Sequence, residues 1–207
     1  MADLLHKPKG LSAIAGIILA AGDSSRFGAP KQLQAWGQGS CLEACIRTAE
    51  TAGLDPLVLV LGDHFEEIFA RTQFGRALVV RNPDWEKGQS TSLKAGLAAL
   101  PADCFGAILL LADQPQVSVN LVGAVKELAW QKDAVILPLI NDRRANPVFF
   151  PARAFPRLMD LQGDQGGRAI LGEFSAVQLP WLDDDMALDI DTREDYDRLS
   201  HIFFGKS

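Results

Sequence analysis

Arg26 and Lys31 stand five residues apart at the end of the stretch Leu19-Ala20-Ala21-Gly22-Asp23-Ser24-Ser25-Arg26-Phe27-Gly28-Ala29-Pro30-Lys31. The stretch leaves an apolar run, Ile14 to Leu19, and passes through small residues before it ends on the second cation. Backbone N–H groups approach an anion closely only where no side chain intervenes. The chemistry permitted is phosphate binding, and the reading adopted is a loop for a nucleoside triphosphate. Neither widespread phosphate motif is present. GxxxxGK[ST] fails because Gly22 to Gly28 has the wrong spacing and Gln32 follows Lys31; GxGxxG fails because the loop has only Gly22 and Gly28. Asp113 and Asp191 are the candidate ligands for Mg²⁺, which prefers carboxylate and phosphate oxygens and keeps several waters. Each candidate also has a plainer role. Arg26 and Lys31 can be solvated cations, and Asp113 can close a turn before Pro115. Asp191 can cap a helix or pair with Arg193. Asp189 competes with Asp191 for the metal, since only one of the two faces a given side of an extended segment.

Other chemistries find less support. His6, His64 and His201 are scattered, and no Ser/His/Asp or Cys/His constellation offers a nucleophile. Cys41, Cys45 and Cys104 form no CxxC pair and have no zinc spacing. They read as core thiols of a reduced, cytoplasmic protein. A net charge of −6 argues against a general nucleic-acid binder, which needs a basic face. Met1 to Leu11 carries Lys7 and Lys9 but no long apolar core, so no signal peptide is expected, and no apolar run is long enough to span a membrane. With 207 residues, 48% of them apolar, the chain reads as a single domain, 1–207, with a sizeable core.

The elements that must position these residues alternate along the chain. Ile14–Ala20, Pro56–Leu61, Ala77–Arg81, Gly106–Ala112 and Ala134–Leu137 read as strands, mostly continuous apolar runs of the buried parallel kind. Between them lie helical stretches. Ser40 and Glu43 form a capping box for a helix to about Ala52, with Gly53 after it. Asp63 caps a helix through Phe74, Ser90 or Ser92 starts one to Leu100, and another runs from Ser118 to Trp130. Further on come a short strand at Val148–Phe150, a Gly-rich turn into a helix at Gly163–Gly172 and a last strand at Ala187–Ile190. Thr192, supported by Asp195, caps a final helix. The pattern predicts an α/β fold: a doubly wound, mostly parallel sheet with helices on both faces. Ligands in such sheets bind beyond the carboxyl ends of the strands. The loops Gly22–Lys31, Gly62–Asp63, Asn82–Gln89 and Asp113–Pro115 are therefore expected to line one crevice. Trp36, Trp85, Trp130 and Trp181 read as core or rim, and Asp183-Asp184-Asp185 as a solvated turn.

The opening loop resembles that of the MobA-like nucleotidyltransferases, whose signature is roughly LA[AG]GxSxRxGxxK. Its Ala20-Ala21-Gly22 step resembles the cytidylyl branch, the molybdenum cofactor cytidylyltransferases; the guanylyl branch usually has Ala-Gly-Gly. Asn82-Pro83-Asp84-Trp85 with Gly88 and Ser90-Thr91-Ser92-Leu93-Lys94 is similar to the second nucleotide segment, and Asp113-Gln114-Pro115 to the metal-binding turn. Asn146-Pro147-Val148-Phe149-Phe150 and Gly163-Asp164-Gln165-Gly166-Gly167-Arg168 resemble two acceptor segments, and Asp189-Ile190-Asp191-Thr192 the closing motif.

The resemblance implies a Rossmann-like nucleotidyltransferase fold, with a nucleotide part at about 13–115 and an acceptor part at about 116–200. It implies Mg²⁺-dependent transfer of CMP from CTP to the phosphate of molybdopterin, with release of pyrophosphate. Leu19, Ala20, Ala21, Gly22, Arg26, Lys31, Asn82, Gly88 and Ser92 would meet the nucleotide, and Asn146, Pro147, Gly166 and Arg168 the acceptor. Arg26, Lys31 and Asp113 would be catalytic, and Asp113 and Asp191 would hold the metal. A molybdoenzyme or its chaperone is the implied protein partner. Ala145 stands where the family commonly has Gly and is expected to narrow the acceptor site. Alternatives are GTP as donor, methylerythritol phosphate as acceptor, or a non-catalytic carrier of a finished cofactor.

Overall fold

A computed structural model of the chain describes residues 13–205; Met1–Leu11, with Lys7, Lys9 and His6, lies outside the described residues. In chain order the strands are β1 (Ile14–Ala20), β2 (Ala35–Trp36), β3 (Gly39–Ser40), β4 (Leu57–Leu61), β5 (Leu78–Arg81), β6 (Gly106–Leu111), β7 (Val135–Ile140), β8 (Arg143–Arg144), β9 (Val148–Pro151) and β10 (Ala176–Pro180). The helices are α1 (Cys41–Thr51), α2 (Phe65–Arg71), α3 (Gln89–Ala98), α4 (Val119–Gln131), α5 (Phe155–Met159) and α6 (Arg193–Phe204).

Strands with no polar side need cover on both faces. Eight of them form one sheet in the order β10-β7-β9-β6-β1-β4-β5, with β8 beside β7. The pairs β1–β4, β1–β6, β4–β5 and β10–β7 are parallel, and β9 runs antiparallel to β6 and β7. Alternate residues of each strand enter opposite cores. Ile18, Leu59, Leu61 and Ile108 pack with Leu42 and Ile46 of α1, Ile68 of α2 and Leu121 of α4. Ile17, Val58, Val60 and Leu109 pack with Leu93 of α3 and Leu158 of α5. The mostly parallel sheet covered on both faces is the expected architecture. Its register matters for the site: Ala20 is level with Leu61, and Leu19 with Leu111. The chain therefore leaves β1 and β6 side by side.

Local signals fix several helix starts. The Ser40 hydroxyl accepts the Glu43 N–H at 3.2 Å while Glu43 accepts the Ser40 N–H at 2.8 Å, and Thr192 and Asp195 make the same reciprocal pair at α6. Ser40→Ala is expected to lower stability by about 1 kcal/mol. A urea midpoint that falls with an unchanged slope would report that loss.

Three expectations are corrected. Asp63 does not cap α2: His64 holds that position in a left-handed backbone, with φ 52°, Asp63 accepts its N–H at 2.9 Å, and the helix stops at Arg71. Neither Ser90 nor Ser92 starts α3. Gly88 does, and the Ser90 N–H is satisfied by the Gly163 carbonyl at 3.0 Å instead of by a side chain. Ala187–Ile190 is not a strand, because other groups claim its backbone: Gln116 donates to the Leu188 carbonyl, and the Ile190 N–H donates to the Asp113 carbonyl at 2.9 Å. The last strand is β10, at the sheet edge. The Gly-rich turn leads into a 3₁₀ helix, Gly167–Glu173.

Candidate active site

The loop after β1 is held by its own polar residues. Gln32 is buried and donates to the Ala20 carbonyl at 3.1 Å, and Ser24 donates to Gln32 Oε1 at 3.3 Å. The Lys31 N–H in turn donates to Ser24 Oγ at 3.2 Å. The loop backbone is thus fixed and the Lys31 side chain is aimed across the strand ends. Its Nζ donates to Asp113 Oδ2 at 2.9 Å and to the Ile190 carbonyl at 2.9 Å, and lies 3.4 Å from Asp191 Oδ1. Arg26 reaches the same Asp191 oxygen at 3.2 Å from a far more exposed position. Four residues separated by up to 165 positions in sequence therefore meet as a compact cluster of two cations and two carboxylates.

The turn after β6 holds the closing segment in place. Besides the Asp113 carbonyl and Gln116, Gln114 donates to Asp189 Oδ1 at 2.8 Å. Ile190 is buried with Trp36, Cys41 and Leu199, which anchors the segment from behind. Asp189 and Asp191 consequently project on either side of a fixed point. Asp191 meets Lys31, while Asp189 faces a cavity. The Asp189 carboxyl is pushed up to about 6 by desolvation against the cavity wall, and then by the charges of Asp113 and Asp191. Three carboxylates thus share one field. The buried Oδ1 of Asp113 has no hydrogen-bond partner among the described residues. An unsatisfied carboxylate oxygen next to a second carboxylate suits a hard divalent cation, which needs only one or two such ligands beside substrate phosphate.

Two cavities open beyond the strand ends. The loop-side cavity, about 390 Å³, is walled by Ala21, Gly22, Trp85, Gly88, Ser92 and Asp113 among others. The far cavity, about 350 Å³, is walled by Asn146, Phe150, Gly166, Gly167, Arg168 and Asp189 among others. Leu19, Gln89, Leu111 and Asp164 border both, so the two are neighbours.

The candidate residues fall into groups. Leu19, Ala21, Gly22, Gly88, Ser92 and Asp113 line the loop-side cavity, and Asn146, Gly166 and Arg168 the far one. Arg26, Lys31 and Asp191 form the charged cluster beside them. Ala20, Asn82 and Pro147 line neither cavity. Ala20 is core, and Pro147 lies behind Asn146 on a small apolar cleft with Cys45 and Val117. Asn82 is buried and donates to Thr91 Oγ1 at 2.8 Å and Ser92 Oγ at 3.0 Å, clamping the end of β5 to the start of α3. Of the four strand-end loops, Gly62–Asp63 stays out of both walls. An added Cβ on Gly62 would lie 2.6 Å from the Ala21 carbonyl and from Trp85 Cβ. Ala145 is packed in the core and does not line the far cavity, so it does not narrow it in the expected way. Trp85 is the tryptophan that reaches the loop-side wall. The cysteines are buried; burial pushes Cys41 up to about 12 and Cys45 further in the same direction.

Gln89 and Asp164 were not singled out from sequence, though they stand at the junction of the cavities. They meet there because Gly88 and Gly163 touch. An added Cβ on Gly88 would fall onto the Gly163 carbonyl. Glycine next to a helix start is the only local trace of this contact.

The fold has known counterparts. A model of the MobA-like NTP transferase domain matches residues 16–178. The chain belongs to the MobA-like NTP transferase family. It is 29% identical over 190 residues to the molybdenum cofactor cytidylyltransferase of Escherichia coli K12, covering 90% of this chain and 95% of that protein. It is 31% identical over 205 residues to the nicotine blue oxidoreductase of Paenarthrobacter nicotinovorans, covering 91% and 97%. Among solved structures, Rv0371c of Mycobacterium tuberculosis superimposes with a TM-score of 0.82 at 30% identity over 91% of this chain and 98% of that one. A complex of Rv0371c with manganese matches with a TM-score of 0.76 at 28% identity, covering 91% and 98%. The matched segment of the family contains the loop after β1, the turn after β6 and both cavity walls up to Arg168. Among the described residues, no helix is long and apolar enough to cross a membrane.

Proposed function

We propose that the chain transfers CMP from CTP to the phosphate of a molybdopterin, with Mg²⁺ and release of pyrophosphate. The observation that carries this reading is the pair of adjoining cavities with the Lys31–Asp113–Asp191–Arg26 cluster beside the loop-side one. The triphosphate lies along the loop-side cavity, against the open backbone around Gly22. An added Cβ on Gly22 would meet nothing within 4 Å, so the space beside it is free for a ligand. The acceptor lies in the far cavity with its phosphate toward Arg168. An acceptor phosphate oxygen attacks the α-phosphorus. A new P–O bond forms there, and the bond to the bridging oxygen of pyrophosphate breaks. Charge develops on the leaving group, where Lys31 and Arg26 neutralise it. Asp113 and Asp191 would hold Mg²⁺, which supplies charge neutralisation for the phosphate oxygens. The name of the Escherichia coli relative supports the acceptor, and the manganese complex of Rv0371c supports a divalent ion.

CTP as donor rests on Ala21. Ala21 belongs to a wall of the loop-side cavity and is 2% exposed as a residue, and glycine at this position would lack its methyl group. Removing it enlarges the cavity where a purine needs more room. Ala21→Gly is expected to raise kcat/KM for GTP relative to CTP by about tenfold, which corresponds to roughly 1.4 kcal/mol of discrimination. Initial rates with each nucleotide measure it. Arg168→Ala is expected to raise the KM for the acceptor by about tenfold and leave that for CTP within about twofold, as loss of a charged hydrogen bond of about 1.5–3 kcal/mol implies. Equal rises for both substrates would contradict its place on the acceptor side.

The likeness to nicotine blue oxidoreductase favours a second reading, oxidoreduction with a nucleotide cofactor in the same cavity. A screen separates the two. The protein is incubated with Mg²⁺, molybdopterin and one nucleoside triphosphate at a time, and pyrophosphate is measured. Release with CTP supports the proposal, and release with GTP alone reverses the donor. No release with any nucleotide, together with oxidation of a reduced nicotinamide nucleotide, would favour the second reading.

A further inference from the structure

Lys31 is not placed as a free phosphate ligand. Its side chain is only 14% exposed, and its ammonium is held by Asp113 Oδ2, the Ile190 carbonyl and Asp191. Carboxylate and carbonyl oxygens are the donors that a hard divalent cation uses. The ammonium and such a cation therefore compete for the same atoms. Arg26 adds to the competition at Asp191, so two cations already balance two carboxylates. A divalent ion arriving alone finds Asp113 Oδ1 without a partner among the described residues, but must displace an ammonium or a guanidinium from Asp113 Oδ2 and Asp191 Oδ1. A triphosphate changes that balance, because its oxygens offer Lys31 and Arg26 other anions. Backbone restraints decide which part moves. The Lys31 N–H is tied to Ser24, and neighbouring Gln32 is buried and pinned to Ala20, whereas the lysine stem is a flexible chain.

We propose that Lys31 couples metal binding to nucleotide binding: it occupies Asp113 and Asp191 until a triphosphate draws it off, so the metal enters with the nucleotide and not before it. This inference rests on the loop being the triphosphate site. By linkage, whatever factor the nucleotide adds to metal affinity, the metal adds to nucleotide affinity.

The test uses Mn²⁺ alone, followed by electron paramagnetic resonance of the free ion, on the full chain without nucleotide. Lys31→Met is expected to bind Mn²⁺ at least about tenfold more tightly than the native chain, within the 5–150-fold range usual for coupled sites. Lys31→Gln, which removes the charge and keeps a polar head, is expected to do the same and serves if the Met variant fails to fold. Adding Asp113→Asn to either is expected to abolish the gain. Equal Mn²⁺ affinity in the native and Lys31 variants would overturn the coupling. Equilibrium dialysis of labelled CTP, with and without Mn²⁺, tests the underlying site separately. Mn²⁺-dependent CTP retention without a Lys31 effect defeats the coupling alone. No retention under any condition defeats the triphosphate reading and the coupling with it.

Discussion

Asp113→Asn is expected to lower kcat by roughly a hundred- to a thousand-fold, or about 2.7–4 kcal/mol, the loss found when one preorganised electrostatic contact is removed. The substitution keeps the shape and a hydrogen-bonding oxygen. It also keeps the main-chain bond from Ile190 to the residue-113 carbonyl, so the turn and closing segment stay seated. What it removes is charge at the oxygen that holds Lys31 at 2.9 Å and at the buried oxygen beside it that has no partner among the described residues. If Asp113 only closed a turn, Asn would serve equally well, because it makes the same side-chain turns. Thermal melting within a few degrees of the native protein, together with the loss of kcat, identifies the role as electrostatic. A near-native kcat would return Asp113 to the turn-closing role.

Gly88→Ala is expected to damage both folding and the pairing of the two cavities. Gly88 has φ 106° and ψ 169°, a region that is essentially glycine-only and costs other residues about 1–3 kcal/mol. An added Cβ would also fall onto the Gly163 carbonyl, the group that accepts the Ser90 N–H at the start of α3. The chain must then give way where its nucleotide-side and acceptor-side segments touch. Stability is expected to fall by at least about 1–3 kcal/mol. Because Gly166 and Arg168 follow directly, the KM for acceptor is expected to rise more than that for CTP. Native stability with native KM values would show that Gly163–Arg168 does not depend on this contact. The measurements are a denaturant midpoint and initial rates with each substrate varied in turn.

The parts of the fold that were legible are those specified within a few residues. β1, β4 and β6 are apolar on both faces, which only a covered parallel strand requires, and both capping boxes carry their partners three positions apart. β10 was missed because it is an edge strand with every other residue exposed and Gln178 and Pro180 within it. Ala187–Ile190 was misread for the converse reason. It is apolar enough for a strand, but the side chain of Gln116 and the main chain of Asp113 claim its backbone groups. His64 displaced Asp63 from the α2 cap by a left-handed backbone that composition does not announce.

The candidate site divides in the same way. The chemistry of Arg26, Lys31, Asp113 and Asp191 was readable from residue type and from their places after strands. Their pairing was not, because it depends on the register that sets Leu19 level with Leu111 and on the segment pinned through Ile190. Asn82 and Pro147, expected to meet the nucleotide and the acceptor, line neither cavity, and Asn82 clamps the end of β5 to the start of α3. Gln89 and Asp164 border both cavities; each belongs to a segment expected at the site, but that the two segments meet depends on the Gly88–Gly163 contact, which is remote in sequence.

The most direct measurement follows the α-phosphate. The protein is incubated with Mg²⁺, molybdopterin and CTP labelled at that phosphate, and the products are separated. The account predicts that the label moves to the pterin, with one unlabelled pyrophosphate released for each label transferred. Label that stays in CTP while GTP labelled at the same position is consumed would contradict the donor. Label that stays in both nucleotides would contradict nucleotidyl transfer to this acceptor altogether.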